Sequence, residues 1–256
     1  MELWSKEHIT TLLPAVAVMI VLAALLGKWL KEKPEPIRRL PLQIIAVILL
    51  ILEVGKQWVS AARGYDLYHL PFHFCSLFLF TLPVMAFYRG KHKAAVEGIT
   101  TSLCASLFLL MLIYPALIYS GNDVLCYTSS YMSFHTVTFH NLVMLAFLLI
   151  LTLKLYTPSA KGELKPVIWF TVVFCIVSAS MAQLLKTNYA NYYQCNIPPL
   201  EEVRLSLQGV LGAVPTQILY ILIVSLLNVL FVMLSYGMTR LALRLLQGKK
   251  KERVIG

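Results

Sequence analysis

Charged residues are scarce in this 256-residue sequence, at 13% of the chain, and acidic residues are the rarer kind. The sequence has 12 Asp and Glu against 22 Lys and Arg, and 59% of its residues are hydrophobic. Soluble proteins contain about 25% charged and about 45–50% apolar residues. Together with a mean hydropathy of +0.74, this composition excludes a disordered chain, an ordinary soluble enzyme and a nucleic-acid-binding domain. We expect no nucleic acid partner.

Long stretches with few charges dominate the sequence. A helix needs about 20 mostly apolar residues to cross about 30 Å of hydrocarbon, and seven stretches meet this requirement. The alternating pattern of a membrane barrel is absent, so the sequence predicts an all-α membrane protein, a seven-transmembrane-helix bundle forming a single domain over residues 1–256. The predicted spans are about 9–30, 40–62, 70–88, 94–119, 133–156, 166–186 and 216–246.

The positive charges are unevenly distributed among the predicted loops. Most lie within residues 28–39, 89–93 and 154–165 and in the basic C-terminal segment 240–253. Because short cytoplasmic loops retain Lys and Arg, these segments are expected to face the cytoplasm. This places the N-terminus outside and the C-terminus in the cytoplasm of a multi-pass cell-membrane protein. Residues 201–215 are too short to cross and predict an interfacial or re-entrant segment on the outer side.

Five cysteines occur, in three different settings. Cys104 and Cys175 lie within spans, where a thiol usually packs as a small hydrophobic group. Cys126 and Cys195 lie in predicted outer loops, where they are candidates for a disulfide or remain two free thiols. Cys75 lies in HLPFHFCSLFLF at the outer entrance of the third span. Its position alone is most typical of packing.

Few ionisable side chains fall inside the predicted spans, and each is costly to keep in hydrocarbon. They are Glu53, Lys56, His73, His135 and His140. At 1.5 Å per residue they lie, with Cys75, in the outer half of the bilayer, so one outward-opening cavity can hold them all. Glu53 and Lys56 are three residues apart and can instead neutralise each other. His135 and His140 lie about 140° apart around a helix, so one of them is expected to point away from the cavity.

His69 and His73 have the HxxxH spacing that offers two zinc ligands on one helix. Pro71 weakens this interpretation, because proline prefers the first position of a helix and places His69 before the helix begins. We therefore predict no metal and no cofactor. A site built from the span histidines and Glu53 is kept as an alternative.

Three motifs resemble a known family. LPFHFCSL opens the third span, SFHTVTFHNL opens the fifth and KTNYANYY closes the sixth. They resemble the YwaF family of bacterial integral membrane proteins, which is related to the eukaryotic acyltransferases called transmembrane protein 164. The resemblance extends from about span 2 to span 7. In those acyltransferases a membrane cysteine takes a fatty acyl group from a phospholipid as a thioester and passes it to a lysophospholipid, assisted by a histidine.

The resemblance implies Cys75 as the nucleophile and His140 as the general base. Such chemistry also needs donors for an oxyanion, and Ser76, Thr136 and Asn141 are the nearby candidates. Supporting roles are expected for Glu53, Lys56, His73 and His135. The expected partners are membrane phospholipid, lysophospholipid and the bilayer itself, while the oligomeric state is left open. A histidine-ligated metal-dependent lipid hydrolase and a non-enzymatic lipid or small-molecule binding or transport protein remain as alternatives.

Overall fold

The computed structural model describes residues 4–158 and 163–255, with side chains described up to residue 244. Lys161 and the basic side chains after residue 244, which contributed to the predicted orientation, lie outside this description. The described residues form helices and no strand. The α-helices are α1 Lys6–Leu30, α2 Glu35–Ala62, α3 Phe78–Phe87, α4 Lys93–Ile113, α5 Gly121–Leu125, α6 Tyr131–Thr152, α7 Leu164–Leu185, α8 Pro198–Leu211 and α9 Ala213–Ile255.

The predicted all-α architecture is confirmed over the described residues. Five of the helices found there are long and apolar enough to cross a membrane, namely α1, α4, α6, α7 and the Ala213–Arg244 part of α9. The helix α2 has 28 residues, and a short 3-10 helix continues into α3 to give an apolar helical segment Phe74–Phe87. The number of crossings stays a prediction.

Prolines set two boundaries differently from the predicted spans. The third segment becomes helical only at Phe74, because Pro71 and the irregular residues around it precede the helix. The fourth helix ends at Ile113 instead of residue 119, because Tyr114 precedes Pro115 and adopts an extended φ of −146°. A residue before proline is disfavoured in the α conformation. The late start shortens the third helical segment to about 21 Å at 1.5 Å per residue.

The helix α4 lies at the centre of the bundle, in contact with α3, α6, α7 and α9. Its buried face carries small residues such as Gly98, Ser102 and Ala105, which allow close approach of neighbouring helices. The Ser102 hydroxyl donates to the Gly98 carbonyl at 2.6 Å. The Ser102 hydroxyl is therefore satisfied within its own helix, whereas the Thr100 hydroxyl donates to the Thr81 carbonyl of α3 at 3.1 Å.

A buried ion cluster joins α2, α3 and α4 at the end of α2 far from Glu53. The sequence places Arg39 among the loop charges, but the structure places it inside α2 with 1% exposure. Its guanidinium is paired with Glu97 and donates to the Met85 carbonyl at 2.7 Å. Arg39 and Lys93 both contact Glu35, and the hydrogen bond from the Lys93 ammonium lowers the pKa of Glu35 to about 2.

Candidate active site

The short third helix leaves room for a polar cavity of about 170 Å³ at its N-terminal end. The walls come from α2, α6 and residues 68–76, and we call this space the polar cavity. It brings together eight of the nine polar residues proposed for the site, which are Glu53, Lys56, His73, Cys75, Ser76, His135, Thr136 and His140. Asn141, the ninth, does not line it.

His140 is held in one orientation by its own helix. Its Nδ1 lies 2.6 Å from the Thr136 carbonyl oxygen. A carbonyl only accepts, so Nδ1 carries the proton and the neutral imidazole has its lone pair on Nε2. The ring packs edge-on against Phe139 and near Tyr119. This arrangement leaves Nε2 as a proton acceptor on a side chain that lines the polar cavity with Cys75.

Glu53 is the centre of a small charge network on the α2 side of the cavity. Its carboxylate lies 2.8 Å from the Lys56 ammonium and accepts from the Gln57 amide at 2.6 Å. His135 Nε2 lies 3.3 Å from the other carboxylate oxygen. The neutralising ion pair considered from the spacing of Glu53 and Lys56 is therefore present.

Both α6 histidines line the polar cavity, which corrects the expectation that one of them points away. The reason is that the cavity extends across α6. It runs from Glu53, which lies beside His135, to Cys75 at the start of the third helical segment. His140 also lines a second cavity, whereas His135 does not.

The His73 side chain is held in place by a backbone carbonyl and two tyrosine rings. Its Nε2 donates to the Tyr68 carbonyl at 2.9 Å, and its ring lies between Tyr68 and Tyr189 with centroid distances of 4.4 and 5.3 Å. His69 instead contacts the Ser60 hydroxyl through Nδ1 at 2.7 Å. The two histidines of the HxxxH spacing thus have different partners. Within residues 4–158 and 163–255, no group of three His, Cys, Asp or Glu side chains is arranged to hold a metal ion.

A second cavity of about 180 Å³ adjoins the polar cavity. Both are lined by Tyr68, His73, Cys75, Ile118 and His140. Four amides line the second cavity and not the polar cavity, and we call the second cavity the asparagine cavity after Asn188, Asn191, Asn196 and Asn228. Cys75 and His140 therefore lie where the two cavities meet.

The sequence model of the TMEM164 family matches residues 3–236, which include every residue of the candidate site. The chain belongs to the TMEM164 family. With its apolar helices, membership of the TMEM164 family shows a multi-pass membrane protein. No curated protein and no solved structure matches the chain.

Two features of this TMEM164-family site were missed by the search for ionisable residues. Tyr189, from KTNYANYY, is fully buried, and its hydroxyl donates to the Leu67 carbonyl. The next residues, Ala190 and Asn191, have φ values of +47° and +63°, so the chain turns sharply and directs Asn191 to the asparagine cavity. Asn228 is an uncharged amide inside the apolar helix α9. A search for all polar side chains in the spans would have found it.

The disulfide candidates have different surroundings. The Cys126 thiol donates to the Asn122 side chain at 3.8 Å, while Cys195 lines a groove between α8 and α9. Both are free thiols in the structure. The pairing of Cys126 with Cys195 stays a prediction for this TMEM164-family protein.

Proposed function

We propose that this protein is an integral membrane acyltransferase that moves a fatty acyl group between phospholipids and lysophospholipids. Cys75 is the nucleophile and His140 is the general base. The observation that supports this most directly is that both residues line the same two cavities, with His140 Nε2 as a proton acceptor. Within the TMEM164 family, we place the chain with the YwaF proteins on the motifs around these residues.

The first half-reaction forms a thioester. His140 Nε2 takes the Cys75 thiol proton, and the thiolate attacks the carbonyl carbon of a phospholipid ester. The C–O bond of the ester then breaks. The leaving lysophospholipid oxygen takes the proton back from the His140 imidazolium, so the enzyme is left acylated and neutral.

The second half-reaction is the reverse of the first with a different alcohol. His140 accepts the proton of a lysophospholipid hydroxyl, whose oxygen attacks the thioester carbonyl. The C–S bond breaks, and the Cys75 thiolate recovers its proton from His140. The products are a new phospholipid ester and the free thiol.

The position of Cys75 at the start of a helix favours both negatively charged species in this scheme, the Cys75 thiolate and the oxyanion of the tetrahedral intermediate. It is the second residue of Phe74–Phe87, and the first N–H groups of a helix have no acceptor within that helix. The positive end of the helix dipole favours a thiolate there. The hydroxyls of Ser76 and Thr136 line the same cavity and are the side-chain candidates to donate to the tetrahedral oxyanion.

We further propose that the chain crosses the cell membrane seven times, with its N-terminus outside. α2 and Phe74–Phe87 supply the two crossings beyond the five long apolar helices. In this topology the polar cavity opens toward the outer leaflet, so the lipid substrates enter from the bilayer and no soluble cofactor is required.

The direct test is the intact mass of the purified protein after incubation with phospholipid vesicles. We expect a long-chain acyl adduct that hydroxylamine removes, that is absent in Cys75→Ala and that persists in the matched control Cys126→Ala. Transfer of the acyl group to added lysophospholipid completes the cycle. Activity that persists in Cys75→Ala and is abolished by a chelator would instead support the metal-dependent hydrolase, and lipid binding with no adduct or turnover would support a carrier.

A further inference from the structure

A third space, the α8–α9 groove, is the largest of the three that concern the site. Its volume is about 550 Å³, and apolar side chains of α8 and α9 form most of its walls. The helix α8 packs on α9, and none of its residues is fully buried. The groove is therefore an apolar channel under a surface helix.

The α8–α9 groove is continuous with the asparagine cavity. Six residues line both spaces, which are Leu110, Leu117, Ala190, Asn191, Asn228 and Phe231. Because Cys75 and His140 line the other side of the asparagine cavity, the groove leads to the nucleophile.

Size and charge indicate an apolar occupant. Sites for small ligands occupy about 300–1,000 Å³, and only the groove, not either of the two smaller cavities, reaches this range. Its one charged lining residue, Arg204, is already paired, since its guanidinium donates to Glu201 at 2.8 Å and to Gln217 at 3.0 Å. The same contact lowers the pKa of Glu201. Among the described residues that line the groove, no unpaired charge is available to a phosphate, whereas the apolar walls suit a hydrocarbon chain.

The junction between groove and cavity carries two amides with unused hydrogen-bonding capacity. Over the part of the chain that the structure describes, the Asn191 side chain forms no hydrogen bond, and Asn228 Nδ2 lies 3.5 Å from the Tyr192 hydroxyl, at the limit of one. Asn228 lies in the apolar helix α9, where an amide without full hydrogen bonding is costly, whereas Asn191 lies in the turn after α7. An ester carbonyl oxygen is an acceptor that either amide can bind.

We propose that the α8–α9 groove binds the acyl chain of the phospholipid donor, and that Asn191 and Asn228 donate to the ester carbonyl where the chain enters the asparagine cavity. This inference rests on the proposed acyl transfer and specifies its substrate contact. The length of the groove then selects the length of the acyl chain, while the two amides direct the ester carbonyl toward Cys75.

The experiment uses the full-length Cys75→Ala variant in phosphatidylcholine vesicles that contain a phosphatidylcholine with a diazirine in its acyl chain. The alanine leaves no nucleophile at this position to form an acyl-enzyme, so labelling reports binding alone. After illumination, peptide mass spectrometry should place the label on groove residues of α8 and α9. Ile223→Trp, which fills the groove, should reduce this labelling about tenfold, a typical effect of a steric change in an apolar pocket. Leu222→Trp, on an exposed and non-lining position of the same helix, is the control and should leave it unchanged.

A second groove variant guards against misfolding of the first. Leu207→Trp obstructs the groove from α8 and should have the same effect as Ile223→Trp. Labelling spread evenly over lipid-facing helices, or equal in groove and control variants, would overturn the groove assignment. So would loss of an oligomer in the groove variants with no change in labelling, because the groove would then be an interface between copies.

The acyl adduct of the wild-type protein separates this inference from the proposed function. Groove labelling without any adduct keeps the lipid site and rejects acyl transfer. A normal distribution of acyl chain lengths on Cys75 in both groove variants keeps acyl transfer and rejects the groove.

Discussion

The two histidines of α6 are five residues apart and have different polar contacts. His140 donates from Nδ1 to its own helix, which leaves Nε2 as an acceptor, whereas His135 Nε2 lies 3.3 Å from a carboxylate oxygen of Glu53. A general base needs a free lone pair within reach of the nucleophile. In the proposed reaction this local bonding favours His140 as the general base, and we propose a positioning role for His135 through Glu53.

Replacing each histidine by glutamine should separate these roles. We expect His140→Gln to slow thioester formation by about 10³-fold, within the range for loss of a general base. His135→Gln should slow it by less than about tenfold, because its contact is with Glu53. The measurement is the rate of the acyl adduct by rapid-quench intact mass, across pH 6–9.

The pH profile is the control for a merely structural effect. If His135 only positions other groups, the rate of thioester formation in His135→Gln should depend on pH as in the wild type. In His140→Gln, the rise of that rate with pH that reports deprotonation of the base should be lost. If His135→Gln were the inactive variant, the base would be His135 with Glu53 as its orienting carboxylate, and our assignment would be wrong.

At the scale of helices, the lengths of the apolar stretches and the positions of the prolines account for the helix positions that could be predicted from the sequence. The positions of α1, α6 and α7 follow the predicted spans closely, since length and hydropathy depend on composition alone. Rotation about each helix axis depends on packing between helices, so the sequence did not show that both α6 histidines line one cavity. The Arg39 cluster was missed for a different reason. A basic residue beside a predicted span resembles a loop charge, and its burial depends on packing against α3 and α4.

The Arg39 pair gives a stability prediction for the α2–α4 contact. Arg39→Ala removes the close partner of the buried Glu97 carboxylate and leaves only the Lys93 ammonium at 3.9 Å, which should lower the free energy of unfolding by about 3 kcal/mol. Arg63→Ala, at an exposed position after the same helix, is the control and should change it by less than about 0.5 kcal/mol. Denaturant unfolding in detergent micelles measures both.

A compensating double variant tests the cause. Arg39→Met combined with Glu97→Leu removes both charges and should recover most of the lost stability, because a buried pair replaced by apolar groups is often neutral. Equal stability of Arg39→Ala and Arg63→Ala would contradict the buried pair.

For the whole molecule, topology decides whether the polar cavity opens toward the outer leaflet, from which the proposed lipid substrates would enter. The excess of Lys and Arg within residues 28–39, 89–93 and 154–165 predicts that the loop before α4 is cytoplasmic, while the loop after α2 is outside. These loops lie at opposite ends of Phe74–Phe87, which at about 21 Å is shorter than the hydrocarbon core of about 30 Å. Two arrangements are compatible with this length. In the first, Phe74–Phe87 crosses the membrane, and local thinning of the bilayer or the flanking residues make up the difference in length. In the second, the segment is re-entrant and returns to the side from which it entered.

Single cysteines on both sides of this segment distinguish the two arrangements. In a background in which Cys75, Cys126 and Cys195 are replaced and only the buried Cys104 and Cys175 are kept, we introduce Arg63→Cys or Lys91→Cys, both at exposed positions. A membrane-impermeant maleimide added to intact cells should label Arg63→Cys at once, and Lys91→Cys only after permeabilisation, because a crossing segment separates them. Labelling of both from outside would make Phe74–Phe87 re-entrant and reject the seven-span topology. The opposite pattern would reverse the bundle and place the entrance to the polar cavity, with Cys75, in the cytoplasmic leaflet.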